Sequence, residues 1–199
     1  MVGVNQVLLA LLSYLIGSIP SAYLVARAVR KVDIRRVGTG NVGATNVYRQ
    51  VGPVAGVLTG VADVAKGMAA VSLAQLPCFS SSAAPLVALL CAVIGHNWPL
   101  WLGFEGGGGL ATFGGGLALL IAVWQVIVLG ALWGVVYRLT RHKYFSSVFM
   151  CLLLPFWLGI SRSSWEYFTF GLGSGVALGF KQVLAWIRWS RGLPLSPCH

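Results

Sequence analysis

The residues best suited to chemistry in this 199-residue chain form one polar island, Arg35-Arg36-Val37-Gly38-Thr39-Gly40-Asn41-Val42-Gly43-Ala44-Thr45-Asn46-Val47-Tyr48-Arg49. It lies between two long apolar stretches and packs three glycines, two asparagines, two threonines and three arginines into a short run. Glycines let a backbone turn sharply and expose successive N–H groups to a ligand. Arginines supply forked donors that match phosphate oxygens, and Asn and Thr side chains complete such a cradle. A helix starting within or just after the island would aim its N-terminus at a bound anion. Charge alone fits a basic loop touching anionic headgroups. The Gly/Asn/Thr spacing favours an anion site, above all for phosphate, at a membrane surface.

Three further features bear polar groups where the surrounding sequence is apolar. Asp63 and Lys66 sit three apart on one face of an apolar stretch, close enough to pair. Charges inside a membrane span are costly and face the bundle interior, so this pair reads as support for the preceding island rather than as a structural ion pair alone. His96 and Asn97 close another apolar stretch, where Trp98 and Trp101 mark an interface. A lone His there is most often a packing residue, but its place beside a glycine run suits a role in the site. That run, from Gly106 to Gly116, has seven glycines in eleven residues. It reads as a loop whose backbone N–H groups hold an anion, or as a re-entrant turn.

The elements that must position these groups follow from composition. The chain is 57% hydrophobic and 9% charged, with mean hydropathy +0.82. Soluble domains carry about 25% charged residues, so the expected fold is an all-α integral membrane protein, one bundle forming a single domain over 1–199. The net charge of +10 is confined to a few loops, a pattern for topology and anionic lipids or substrates and against nucleic acid. Cys78, Cys91, Cys151 and Cys198 show no paired spacing, which predicts packing thiols without a disulfide framework or metal site. The N-terminus lacks a basic n-region and a cleavage site, so the first apolar stretch is expected to stay as a membrane helix.

Spans of about 20 apolar residues cross a bilayer. The expected spans are Val4–Val29, interrupted at Gly17-Ser18-Ile19-Pro20-Ser21, then Val54–Leu76, Pro85–Phe104, Phe145–Ile160 and Trp165–Trp189. Basic clusters at Arg27–Arg49, Arg138–Lys143 and Lys181–Arg191 all fall on the cytoplasmic side if the N-terminus is outside and Thr112–Tyr137 enters and returns as two short helices. That makes about seven helical segments, two of them too short to span fully. The island, the His96 end, the glycine run and Ser146 then converge on one cytoplasmic pocket. A polar pocket open to cytosol and bilayer suits a reaction joining a soluble anion to a lipid chain.

In these residues the chain resembles the bacterial acyl-phosphate:glycerol-3-phosphate acyltransferases. The family's G-S-I-P motif is found at Gly17–Pro20. Its D-I-R-x-x-G-S-G-N-x-G-A-T-N-x-x-R is matched from Asp33 to Arg49, with Thr39 at the serine position. An L-D-x-x-K-G pattern is met by Asp63, Lys66 and Gly67, and a G-H-x-x-P-x-x-x-x-F-x-G-G-K-G-V-A-T block from Gly95 to Thr112 with two changes. The resemblance covers roughly the first three-quarters of the chain in matching order. It implies a seven-helix bacterial inner-membrane enzyme that transfers a fatty acyl group from acyl phosphate to the 1-position hydroxyl of glycerol 3-phosphate, without a cofactor. By the resemblance, Thr39, Gly40, Asn41, Thr45, Asn46 and Arg49 bind phosphate groups. His96, Gly106, Gly107, Gly108, Gly109, Thr112 and Ser146 line the pocket, and Asp63 and Lys66 support it. The family pattern is broken at Gly108, where it has lysine, and from Phe180 to His199, which has Lys181, Arg188 and Arg191 but no Asn or Glu. These departures leave a relative that binds a phosphorylated lipid precursor or a partner without turnover as the alternative.

Overall fold

The structure is a computed structural model that describes residues 2–79 and 81–191; Cys198 and the end of the C-terminal tail lie outside them. Every regular element among these residues is helical: α1 (Val2–Ser18), α2 (Ser21–Arg30), α3 (Ala44–Gln50), α4 (Pro53–Ala74), α5 (Ala84–Asn97), α6 (Leu110–Leu120), α7 (Val123–Thr140), α8 (Lys143–Arg162) and α9 (Trp165–Ser190). Among the described residues six segments, with α1 and α2 counted as one broken span, are long and apolar enough to cross a membrane, and α6 is a shorter apolar helix. The seven expected segments are therefore present.

Two expectations about the middle of the chain need correction. The break predicted between two short helices falls at Ile121 and Ala122, so only α6 is short. At 18 residues α7 has the length of a span, about 27 Å. The glycine run is also not all loop, because Gly114, Gly115 and Gly116 lie inside α6. The role of Gly115 and Gly116 there is close packing, while Gly114 borders an apolar cavity. A Cβ on Gly115 would strike the backbone of Val64, and one on Gly116 would strike Leu89 and Gly67. Small residues let membrane helices approach where no hydrophobic force drives them together.

The buried and exposed faces of α4 show how this bundle inverts the soluble pattern. Ala55, Gly56, Thr59, Asp63, Lys66, Gly67, Ala70, Val71 and Ala74 are buried at helical spacing. Val54, Val57, Leu58, Val61 and Met68 face outward, as lipid demands. The α1–α2 break follows from Pro20, whose ring has no N–H to continue the ladder and disfavours helix in the residue before it. The third span ends early, at Asn97, because Trp98 and Pro99 leave the helix and a turn at Leu100–Leu102 redirects the chain.

The two ends of the bundle are distinct. At one, Asn5 Nδ2 donates to the Cys78 carbonyl (2.9 Å) and Ser82 Oγ to Glu166 (3.2 Å). At the other lie the polar island, the 103–109 loop and the basic ends of α7, α8 and α9. A small core of Ala22, Ala26, Ile34, Val42, Val47, Val51, Ala55 and Leu102 anchors the island to α2 and α4.

A Cβ on Gly67 would meet the Thr112 carbonyl and the Gly116 N at 2.8 Å, all backbone that cannot yield. Gly67→Ala should thus force α4 and α6 apart and lower stability by about 1–3 kcal/mol. Gly60→Ala, which meets only Ala44 Cβ at 3.7 Å, should leave thermal unfolding in detergent almost unchanged.

Candidate active site

The island folds as a loop locked from within. Asp33 caps the 34–36 turn by accepting from the Arg35 N–H (3.0 Å) and grips the Arg35 guanidinium through Nε (3.1 Å) and Nη2 (2.8 Å). That hydrogen-bonded guanidinium holds the Asp33 carboxyl below the usual aspartate range. Its stabilising contribution is complete at neutral pH and is lost only as pH falls through that lowered value.

Asn46, in α3, is the loop's central staple. Its Oδ1 accepts from the Thr39 N–H (3.2 Å), and its Nδ2 donates to the carbonyls of Ile34 (3.2 Å), Val37 (3.1 Å) and Asn41 (3.1 Å). Its carboxamide is thereby consumed by the loop, so Asn46 shapes the cradle rather than offering free polar atoms to it.

The loop forms one wall of a cavity of about 560 Å³. Thr39, Gly40, Asn41, Thr45, Asn46 and Arg49 all line it, facing Gly106, Gly107, Gly108 and Gly109. Asp63 and His96 lie deeper, while Trp133, Tyr137, Lys143, Tyr144 and Ser147 supply a side wall. Lys181, Gln182 and Arg188 of α9 cover the remainder. Four cations thus face two carboxylates, Asp63 and Glu105. Asp63 is already engaged, because Oδ1 accepts from Ser21 Oγ (2.8 Å) and Lys66 Nζ (2.8 Å). The field inside favours anions.

Thr112 and Ser146 do not line this cavity. Thr112 is fully buried behind His96, its Oγ1 3.3 Å from Nδ1. Ser146 is turned toward α7, donating to the His142 carbonyl (3.0 Å) and lying 3.3 Å from Thr140 Oγ1. Neighbouring residues on a helix point about 100° apart, so Ser147 reaches the cavity instead and accepts from Trp133 Nε1 (3.1 Å). Lys66 also lies behind the wall, donating to the Ile19 carbonyl (2.8 Å) exposed by the α1–α2 break.

The sequence pattern did not place Lys143, Tyr144 or Gln182 in the site. The signal available was a lysine near the end of an apolar stretch, as with Lys181, whose Nζ lies 5.3 Å from the Trp98 ring centroid. At Gly108 a Cβ would meet only the flexible Gln182 amide (2.8 Å). A second cavity, of about 410 Å³ and almost wholly apolar, opens between α6, α7 and α8. It shares Leu110, Ala111 and Trp133 with the first.

Comparison with known proteins decides the family. The family model described as glycerol-3-phosphate acyltransferase matches residues 7–191. The chain belongs to that family. It is 36% identical to the glycerol-3-phosphate acyltransferase of Desulforamulus reducens, over 86% of this chain and 85% of that one. It is 40% identical to that of Endomicrobium trichonymphae, over 84% of each. The fold superposes on a crystal structure of PlsY (YgiH), an integral membrane glycerol 3-phosphate acyltransferase, in its glycerol 3-phosphate form. There the TM-score is 0.81 at 27% identity, covering 94% of this chain and 92% of that one. The lysophosphatidic acid form of the same protein matches with TM-score 0.79 at 25% identity, with the same coverage. The spans and this likeness make the chain a multi-pass membrane protein.

Asn46→Ala should orphan buried loop groups at about 1–3 kcal/mol each. Faster amide hydrogen exchange across 37–43 at unchanged helical content is the expected outcome.

Proposed function

We propose that this family member transfers a fatty acyl group from acyl phosphate to the 1-position hydroxyl of glycerol 3-phosphate, releasing lysophosphatidic acid and phosphate. The observation that carries the reading is the junction of the cation-lined cavity with the apolar one across Leu110, Ala111 and Trp133. The polar chamber suits two phosphate groups and the apolar one suits an acyl chain. The hydroxyl oxygen attacks the acyl carbon, the bond from that carbon to the phosphate oxygen breaks, and phosphate leaves with the electron pair. The leaving phosphate takes the hydroxyl proton. Acyl phosphate is already activated, so positioning and charge stabilisation suffice without a covalent intermediate.

Thr39, Gly40, Asn41, Thr45 and Arg49 form the phosphate-binding wall in this proposal, with Asn46 holding it in shape. The 106–109 loop faces them. The reading without turnover is not favoured, because the cavity that Gly108 lines holds another lysine, Lys181. Gly108 itself faces the Gln182 amide, on the same helix as Lys181.

Purified protein given acyl phosphate and glycerol 3-phosphate should release phosphate and form lysophosphatidic acid. Arg49→Ala and Lys181→Met should each lower kcat/KM by about 10- to 100-fold, the worth of one hydrogen bond to a charged group. Gly108→Lys should restore much of the loss in the Lys181→Met background but not in Arg49→Ala. An inactive wild type would sink the reading.

The cations Arg49, Lys143, Lys181 and Arg188 line the cavity, and by the positive-inside rule this supports a site facing the cytoplasm of a bacterial inner membrane with the N-terminus outside. Cys78 is exposed at the opposite end. In a Cys198→Ser background it should therefore react with a membrane-impermeant maleimide added to intact spheroplasts, and failure to label would reverse the orientation.

A further inference from the structure

The cluster behind the cavity carries an inference about protons. Lys66 is buried in α4, and its ammonium has three hydrogens and no lone pair. Three acceptors surround it: the Ile19 carbonyl at 2.8 Å, Asp63 Oδ1 at 2.8 Å and His96 Nδ1 at 3.3 Å. Each hydrogen has one partner only if His96 Nδ1 is an acceptor. A protonated Nδ1 would set two donors against each other and orphan a buried ammonium hydrogen, a costly arrangement where water is excluded.

Asp63 offers the competing arrangement, since Oδ1 lies 3.5 Å from His96 Nδ1. That oxygen already accepts from Ser21 Oγ and Lys66 Nζ, both at 2.8 Å. The longer approach is the weakest of the three. Thr112 Oγ1, 3.3 Å from Nδ1, is compatible with either state because a hydroxyl donates or accepts. The count therefore turns on Lys66.

The opposite edge of the ring reaches the cavity. Nε2 lies where a side chain at Gly107 would begin, and among the described residues no group hydrogen-bonds it. We propose that Lys66 holds His96 as the neutral tautomer carrying its proton on Nε2, and that this N–H donates to a phosphate oxygen of the bound substrate. The second half rests on the acyltransferase reading above; the tautomer does not. His96 is then a donor and not a base, with Lys66 and Asp63 as its positioning residues. The absence of a side chain at Gly107 keeps the donor uncovered.

The test uses the full chain in detergent, labelled with ¹⁵N-histidine. The three histidines are His96, His142 and His199, and the His96 signals are assigned by their loss in His96→Gln. Nδ1 should appear without a proton and Nε2 with one. The Nε2–H signal should move on adding glycerol 3-phosphate or inorganic phosphate, but not glycerol. A proton on Nδ1, an imidazolium, or no movement with either anion overturns the proposal. In kinetics, His96→Gln keeps a neutral N–H near the same place and should stay within about tenfold of wild type, whereas His96→Leu should lose on the order of a hundredfold. Equal losses in two folded variants also overturn it. If Nε2–H responds to phosphate while wild type releases none from acyl phosphate, the donor stands and the acyltransferase reading falls.

Discussion

A lysine and an aspartate buried in a membrane helix must find partners inside the protein, and most of the site's architecture follows from how Lys66 and Asp63 do so. Neither charge is stabilised by lipid, and an unpaired one would cost several kcal/mol. Their partners come from two separate places: the Ile19 carbonyl and Ser21 hydroxyl at the α1–α2 break, and the His96 ring at the end of α5. Satisfying one pair of charges therefore ties α4 to the kink of the first span and to the last turn of the third. Pro20 is part of the same device, since without the break the Ile19 carbonyl would stay in a helical ladder. A buried pair of this kind adds little net stability once desolvation is counted, and here Asp63 and His96 set the floor of the cavity.

Close backbone packing extends that constraint outward. Gly67 follows Lys66 directly and brings α4 against α6, whose first turn carries Thr112 behind His96. The glycines of the 106–116 run thus divide into two uses within a few residues. Gly106–Gly109 form open loop along the cavity, and Gly115 and Gly116 form a helix contact surface. Around this core, valines and leucines turn outward, so the apolar bulk of the chain contacts lipid while polar and small residues fill the interior.

The island works by a different rule, because it lies outside the apolar helices and has no long helix of its own. Its shape comes from side chains spent on backbone: Asp33 on the 34–36 turn and Asn46 on four groups of the loop. That economy leaves Arg49 free to face the facing loop and α9 across the cavity. The cationic character of the chamber is assembled from three helices, with Arg49 on α3, Lys143 on α8 and Lys181 and Arg188 on α9, and the loop that follows α5 forms the opposing wall.

By itself the sequence determined the helical class, the number of segments, the break at Pro20 and the position of the polar island. Low charge content, span-length hydropathy and a dense Gly/Asn/Thr/Arg motif are local signals that survive in one dimension. It also brought Asp63, Lys66 and His96 to notice, since charged or titratable groups in apolar runs stand out. The tertiary structure alone decided which face of α8 meets the cavity, putting Ser147 there and not Ser146, since a one-residue difference in helical phase depends on packing with α7. It decided that Asn46 is spent on the loop and that Thr112 stands behind His96, because hydrogen-bond partners are chosen by distance in space. It also decided that half of the glycine run is helix, since glycine's weak helical preference was overridden by the close approach of α4. The neighbourhood of Gly108 and Lys181 belongs to this second group as well. Seventy-odd residues separate them in the chain, and only the docking of α9 over the 103–109 loop puts them in one chamber.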